Sequence, residues 1–103
     1  MNRFLMALSV VSIVGCGGGR SSTIAALTGD ATAGKAFYTA SCEPCHGANG
    51  KSGTAKHDIV GHTKSSTIEA IDVLLSGNGQ GMPAYASQTD QTLANVIAYL
   101  KSL

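Results

Sequence analysis

Two cysteines, two residues apart and followed at once by a histidine, stand at Cys42-Glu43-Pro44-Cys45-His46. Thiols three positions apart on one turn can add to two vinyl groups along one edge of a porphyrin, and the next residue then turns its imidazole toward the iron. The spacing reads as a covalent c-type haem attachment site. His46 becomes the proximal ligand through its unprotonated nitrogen, and its other ring nitrogen needs an acceptor to fix the ring. Glu43 and Pro44 fill the variable positions. Two rival chemistries use the same pair. A redox dithiol at Cys42 and Cys45 belongs with a strand-helix-strand pattern, which this chain lacks. A zinc site would recruit two of the three histidines, but no second paired-ligand motif accompanies it.

Met82 is the candidate sixth ligand. It lies in Gly77-Asn78-Gly79-Gln80-Gly81-Met82-Pro83-Ala84-Tyr85, off any helical stripe. A core-filling methionine is least expected there, and a backbone held in one shape is most expected. A thioether raises the reduction potential relative to two imidazoles and closes the iron to outside ligands. His57 and His62 compete for the position. Both sit in a polar stretch, where a loop histidine reads as solvated. Lys35, Lys51, Lys56, Lys64 and Lys101 could form a docking face, although scattered lysines ordinarily make a soluble surface.

Positioning these groups requires a domain that is short of core. The chain has 103 residues, room for one small domain. From Asp30 to Leu103, thirty residues are apolar, but eleven are Ala and two are Cys, which leaves 17 larger side chains. A unit that small needs a bound group to complete its interior. Three segments read as helices. Asp30 can cap Ala31 to Ala40, with Gly34, Phe37, Tyr38 and Ser41 at helical spacing. Ser66-Thr67-Ile68-Glu69 has capping-box form, and Ile68, Ile71, Leu74 and Leu75 follow until Gly77. Thr89 can cap the last helix, whose Leu93, Val96, Ile97 and Leu100 make an apolar stripe. The intervals 47–65 and 77–88 read as loops, long enough to wrap something. Strand-like alternation is absent, so the expectation is an all-α fold. A net charge of +1 with 13% charged residues lacks the basic footprint of a nucleic-acid binder.

Residues 1–15 have the plan of an export signal: Arg3, then an apolar run from Phe4 to Val14, about half of the roughly 20 residues a bilayer span needs. Its removal takes Met1 and Met6, leaving Met82 as the methionine of the mature chain. Ile13-Val14-Gly15-Cys16 resembles a bacterial lipobox, which implies lipidation of Cys16, cleavage before it, and a protein that sits on a membrane without crossing it. Cys16 would take lipid and the other two cysteines haem. Gly17 to Thr23 reads as flexible coil, so that residues 16–29 form a tether of about 20 Å mean reach and about 50 Å when taut. The folded domain is then 30–103.

Together these residues resemble the class I monohaem cytochromes c in their short bacterial form. The resemblance rests on Gly34, Tyr38 and Cys42 at four-residue intervals, the haem motif through Gly47, Ile59-Val60-Gly61, the Met82-Pro83 loop, and Val96-Ile97-Ala98-Tyr99-Leu100-Lys101. It implies N- and C-terminal helices crossing near one edge of a single covalent haem c (heme c). Gly34 would allow close approach, with Tyr38, Val96 and Tyr99 at the contact. Relatives commonly accept the proximal imidazole proton on the carbonyl of a Pro that this chain lacks; His57 stands near that place, so another backbone carbonyl must take the proton here. They also often bond a propionate through Trp, which this chain lacks, leaving Asn78 and Gln80 for that task. The expected function is one-electron transfer with His46/Met82 ligation, by a monomer serving redox proteins at a membrane on the outer, periplasmic side. The alternative is a haem sensor or peroxidase-like enzyme whose sixth position opens.

Overall fold

Asp30 stops one helix from running into the next. Its backbone is extended, and its carboxylate accepts from the N–H groups of Thr32 and Ala33, starting a helix over Ala31–Ser41. A computed structural model describes residues 19–54, 57–79 and 81–103, all of whose regular elements are helices. In chain order they are α1 (Gly19–Ala26), α2 (Ala31–Ser41), α3 (Glu43–His46), α4 (Ile59–Ser65), α5 (Thr67–Ser76) and α6 (Asp90–Ser102). The all-α small-cytochrome architecture expected from the sequence is the one observed. The export signal and Cys16 lie outside the described residues.

The crossing of α2 and α6 is the main helix contact. Gly34 is buried against α6, where a Cβ would fall on the Asn95 carbonyl and come within 3.0 Å of the Val96 nitrogen. Tyr38 packs on Tyr99 with ring centroids 5.3 Å apart. Tyr38, Cys42, Val60, Val96 and Leu100 form one apolar cluster. A second joins Ile24, Ile71, Leu74, Leu93, Ala94 and Ile97. The two clusters share α6, which gives Leu93, Ala94 and Ile97 to one and Val96 and Leu100 to the other.

Three segments differ from the sequence expectations. Residues 19–26 form a helix instead of flexible coil. An isolated eight-residue helix is marginal in water, but here Ile24 is 1% exposed in the core, Ser21 bonds Asp72 of α5, and Arg20 pairs with Asp90 at 2.7 Å. Tertiary contact overrides the Gly/Ser composition, so residues 19–26 are part of the folded body. The interval 47–65 contains α4, started by Asp58, whose carboxylate accepts from Gly61 N–H at 2.8 Å. Ser66 precedes α5 as expected but makes no side-chain cap bond; its N–H ends α4 on the His62 carbonyl.

Candidate haem-binding site

The attachment segment is wound into one tight turn. Cys42 ends α2 through its N–H to the Tyr38 carbonyl, and its own carbonyl accepts from Cys45 at 3.1 Å and His46 at 2.9 Å. Pro44 enters at the start of α3, where a missing N–H costs nothing. Gly47 ends the turn with φ +78, and its carbonyl accepts from Tyr38 Oη at 2.5 Å. Gly53 lies so close to the Cys45 carbonyl that a Cβ would overlap it. The loop after the motif therefore clamps the turn from outside while Tyr38 holds it from the core.

Cys42 is buried and Cys45 exposed at the two ends of the turn. Two cavities of about 370 and 380 Å³ adjoin the turn, both lined by Cys42, His46, His57, Asn78 and Met82. The first runs inward along Leu74, Val96, Ile97 and Leu100, and the second opens past Cys45, Pro83 and Tyr85. Apolar inner walls and a few convergent polar groups suit a planar, largely hydrophobic ligand.

Met82 reaches these cavities from the far loop. Its N–H donates to Asn78 Oδ1 at 3.2 Å, Tyr85 N–H donates to the Leu74 carbonyl at 2.7 Å, and Gly77 turns the chain at φ +73 with the Met82 carbonyl 2.7 Å from where a Cβ would sit. Phe37 and Tyr85 meet edge to face at 5.8 Å beside the opening.

Burial pushes the Cys42 thiol up to about 11, aided by Cys45, and the Tyr38 phenol up to about 12. Burial also lowers the His46 pKa below the ordinary imidazole value, with His57 adding to the shift. A neutral imidazole, the form with a free lone pair, is thereby favoured. His46 Nδ1 is buried without a hydrogen-bond partner among the described residues. The site therefore fits a porphyrin: two thiols on one turn, a neutral imidazole beside them, a thioether facing the same space, and an apolar interior.

His57 and His62 are exposed, as expected, yet both line the inner cavity. Sequence reading passed over Asp58, Thr63, Ala70 and Val73, which line it too. The signal for Ala70 and Val73 was available, since they flank Ile71 and Leu74 on α5. Asn78 Oδ1 accepts from the Met82 N–H and so ties it to the Met82 loop. Lys35, Lys51, Lys64 and Lys101 are exposed on four different segments, while Gln80 and Lys56 lie outside the described residues.

An all-helical domain with crossing terminal helices around such a cavity defines a small c-type haem protein. The chain belongs to the cytochrome c family: residues 29–100 match the family described as cytochrome c oxidase, cbb3-type, subunit III. It is also 34% identical over 84 residues to a "Cytochrome c-553-like" protein of Synechocystis sp. (strain ATCC 27184 / PCC 6803 / Kazusa), an alignment covering 80% of this chain and 77% of that protein. No solved structure matches it significantly. Membership makes it an electron-transfer protein carrying one covalently bound haem c.

Proposed function

We propose that Cys42 and Cys45 hold the haem through two thioether bonds, that His46 and Met82 are its axial ligands, and that the protein is an electron carrier without catalytic activity of its own. The observation that carries this reading is that His46, at the end of α3, and Met82, on a distant loop, line the same two cavities as Cys42. When bound, haem supplies an iron that alternates between ferrous and ferric. The chain's residues do the rest. Leu74, Val96, Ile97 and Leu100 exclude water, Tyr38 and Gly53 fix the attachment turn, and the segment around Met82 keeps a thioether within reach in both oxidation states.

The export signal and Cys16 supply the rest of the reading: maturation on the outer face of a bacterial membrane, lipid attachment there, and redox proteins as partners of a monomer. No helix among the described residues is long and apolar enough to cross a membrane, so acyl chains would do the holding.

An optical spectrum tests the ligation. The ferric protein should show the weak far-red band of a methionine-ligated haem, lost in Met82→Ala, and the intact ferrous protein should bind carbon monoxide poorly. A high-spin spectrum with rapid carbon monoxide binding would favour the sensor. Mass spectrometry of the membrane-extracted protein tests the lipid: mature chain plus acyl groups on Cys16 is expected, and an unmodified Cys16 refutes it.

A further inference from the structure

Helix α1 lies ahead of the segment that matches the family, and its arginine reaches far along the chain. All three guanidinium nitrogens of Arg20 donate. Nε bonds Asp90 Oδ1 at 2.7 Å, Nη1 the Ala86 carbonyl at 2.7 Å, and Nη2 the Gln88 carbonyl at 2.6 Å. The three acceptors lie within five residues, on the strip that leads from Met82 into α6. At its other end the strip is fixed by the bonds of Met82 to Asn78 and Tyr85 to Leu74. Met82 and Tyr85 pack against the cluster that contains Ile24 of the same helix α1.

We propose that Arg20 is a positioning residue for Met82: it pins the strip 86–90 to the body of the domain and so keeps the thioether at the iron. This rests on Met82 being the axial ligand. Three points of attachment need a planar fork of donors, which Arg has and Lys lacks. The ion pair with Asp90 is about a third exposed on both sides and contributes little alone. The charge-assisted bonds to two main-chain carbonyls immobilise the strip. A hinge is available at the opposite end, where Gly79 and Gly81 have φ +72 and +106 with open space around them. Without Arg20 the strip loses its three bonds to α1 and is held by its run into α6 and by the Met82–Asn78 and Tyr85–Leu74 bonds, so the segment opens more often on that hinge and lifts Met82 away. An outside ligand then binds in proportion to the open fraction.

Imidazole titration of the mature ferric protein tests this. Arg20→Gln should bind imidazole about tenfold more tightly, equivalent to about 1.4 kcal/mol, and show a weaker far-red band, with haem still covalently attached. Arg20→Lys should behave much like Arg20→Gln, and full rescue by Lys overturns the three-point hold. Ser21→Ala loosens the same helix through Asp72 of α5 and away from the strip. It should lower the melting temperature with imidazole affinity unchanged, and an equal rise in affinity reduces the effect to general loosening and overturns the proposal. A far-red band present in wild type, with unchanged imidazole affinity in Arg20→Gln, overturns the role of Arg20 alone. A band absent from wild type overturns the methionine ligation and this role with it.

Discussion

Replacing Gly34 by Ala sets two effects of opposite sign against each other, and the structure decides between them. On an isolated helix Ala is favoured over Gly by about 1 kcal/mol. At the α2–α6 crossing, however, the added methyl lands on the Asn95 carbonyl, with the Val96 nitrogen 3.0 Å away. Both obstacles are main chain of α6, so no rotamer change relieves them and the helices must part. Parting loosens the Tyr38–Tyr99 contact at 5.3 Å and uncovers Val96 and Leu100, now 1% and 5% exposed. Overpacking of this sort costs about 1–3 kcal/mol even where side chains can adjust, and a backbone collision belongs at the upper end. The net loss is then about 2 kcal/mol, a fall in melting temperature of about 8–16 °C for a domain of this size. Thermal melts of the matured protein, followed by helix circular dichroism and haem absorbance, measure it. Lys35→Ala, exposed on the same helix, should stay within about 0.5 kcal/mol of wild type. Gly34→Leu should impair folding outright. A Gly34→Ala protein as stable as wild type, or more so, would show propensity prevailing and refute the close crossing.

Tyr38→Phe should change how stability responds to alkali. The phenol is held protonated from its ordinary value near 10 up to about 12, so the folded state binds a proton that the unfolded state releases, and stability present below pH 10 drains away as pH rises toward 12. Denaturant melts of the ferrous protein at pH 8 and pH 11 should show a smaller loss in Tyr38→Phe, whereas equal losses refute the phenol's part. At pH 8 the same variant should be less stable by about 1 kcal/mol through the lost bond to the Gly47 carbonyl. Ile24→Ala removes a side chain that is 1% exposed and should cost about 2–4 kcal/mol; a cost below 0.5 kcal/mol in chemical denaturation would mean that α1 is not part of the core. Gly53→Ala pushes a methyl into the Cys45 carbonyl and should lower the yield of covalently attached haem, read by pyridine haemochrome per milligram of protein; unchanged yield would show that the clamp on the turn is loose.

Much of this molecule is legible in its sequence because the relevant signals are local. The haem motif declares itself by spacing. Asp30 and Thr89 cap their helices with the bonds their residue types promise, and the stripe from Leu93 to Leu100 is buried throughout. Met82 was found by its setting between glycines and Pro83, and the structure brings it to the cavities that His46 also lines. What escaped depends on contacts distant in sequence. The helix α1 is too short and too rich in Gly and Ser to announce itself, and the burial of Ile24 together with bonds to Asp72, Ala86, Gln88 and Asp90 holds it in place. The helix α4 spans seven residues with a Gly and three β-branched side chains among them, a poor propensity offset by burial of Val60 and Thr63. The proton acceptor for the proximal imidazole could not be read from sequence, and His46 Nδ1 indeed finds none among the described residues.

The folding of α1 onto the core would change the mechanics of the attachment proposed at Cys16. With a lipid on Cys16, only Gly17 and Gly18 remain between the anchor and Gly19, a leash of at most about 10 Å in place of the 50 Å that a freely jointed run would offer. Such a globule is moored rather than roaming. It would meet the bilayer with a preferred side, and electron exchange would then be governed by how neighbours drift up to a fixed berth, not by how far the carrier can travel to find them.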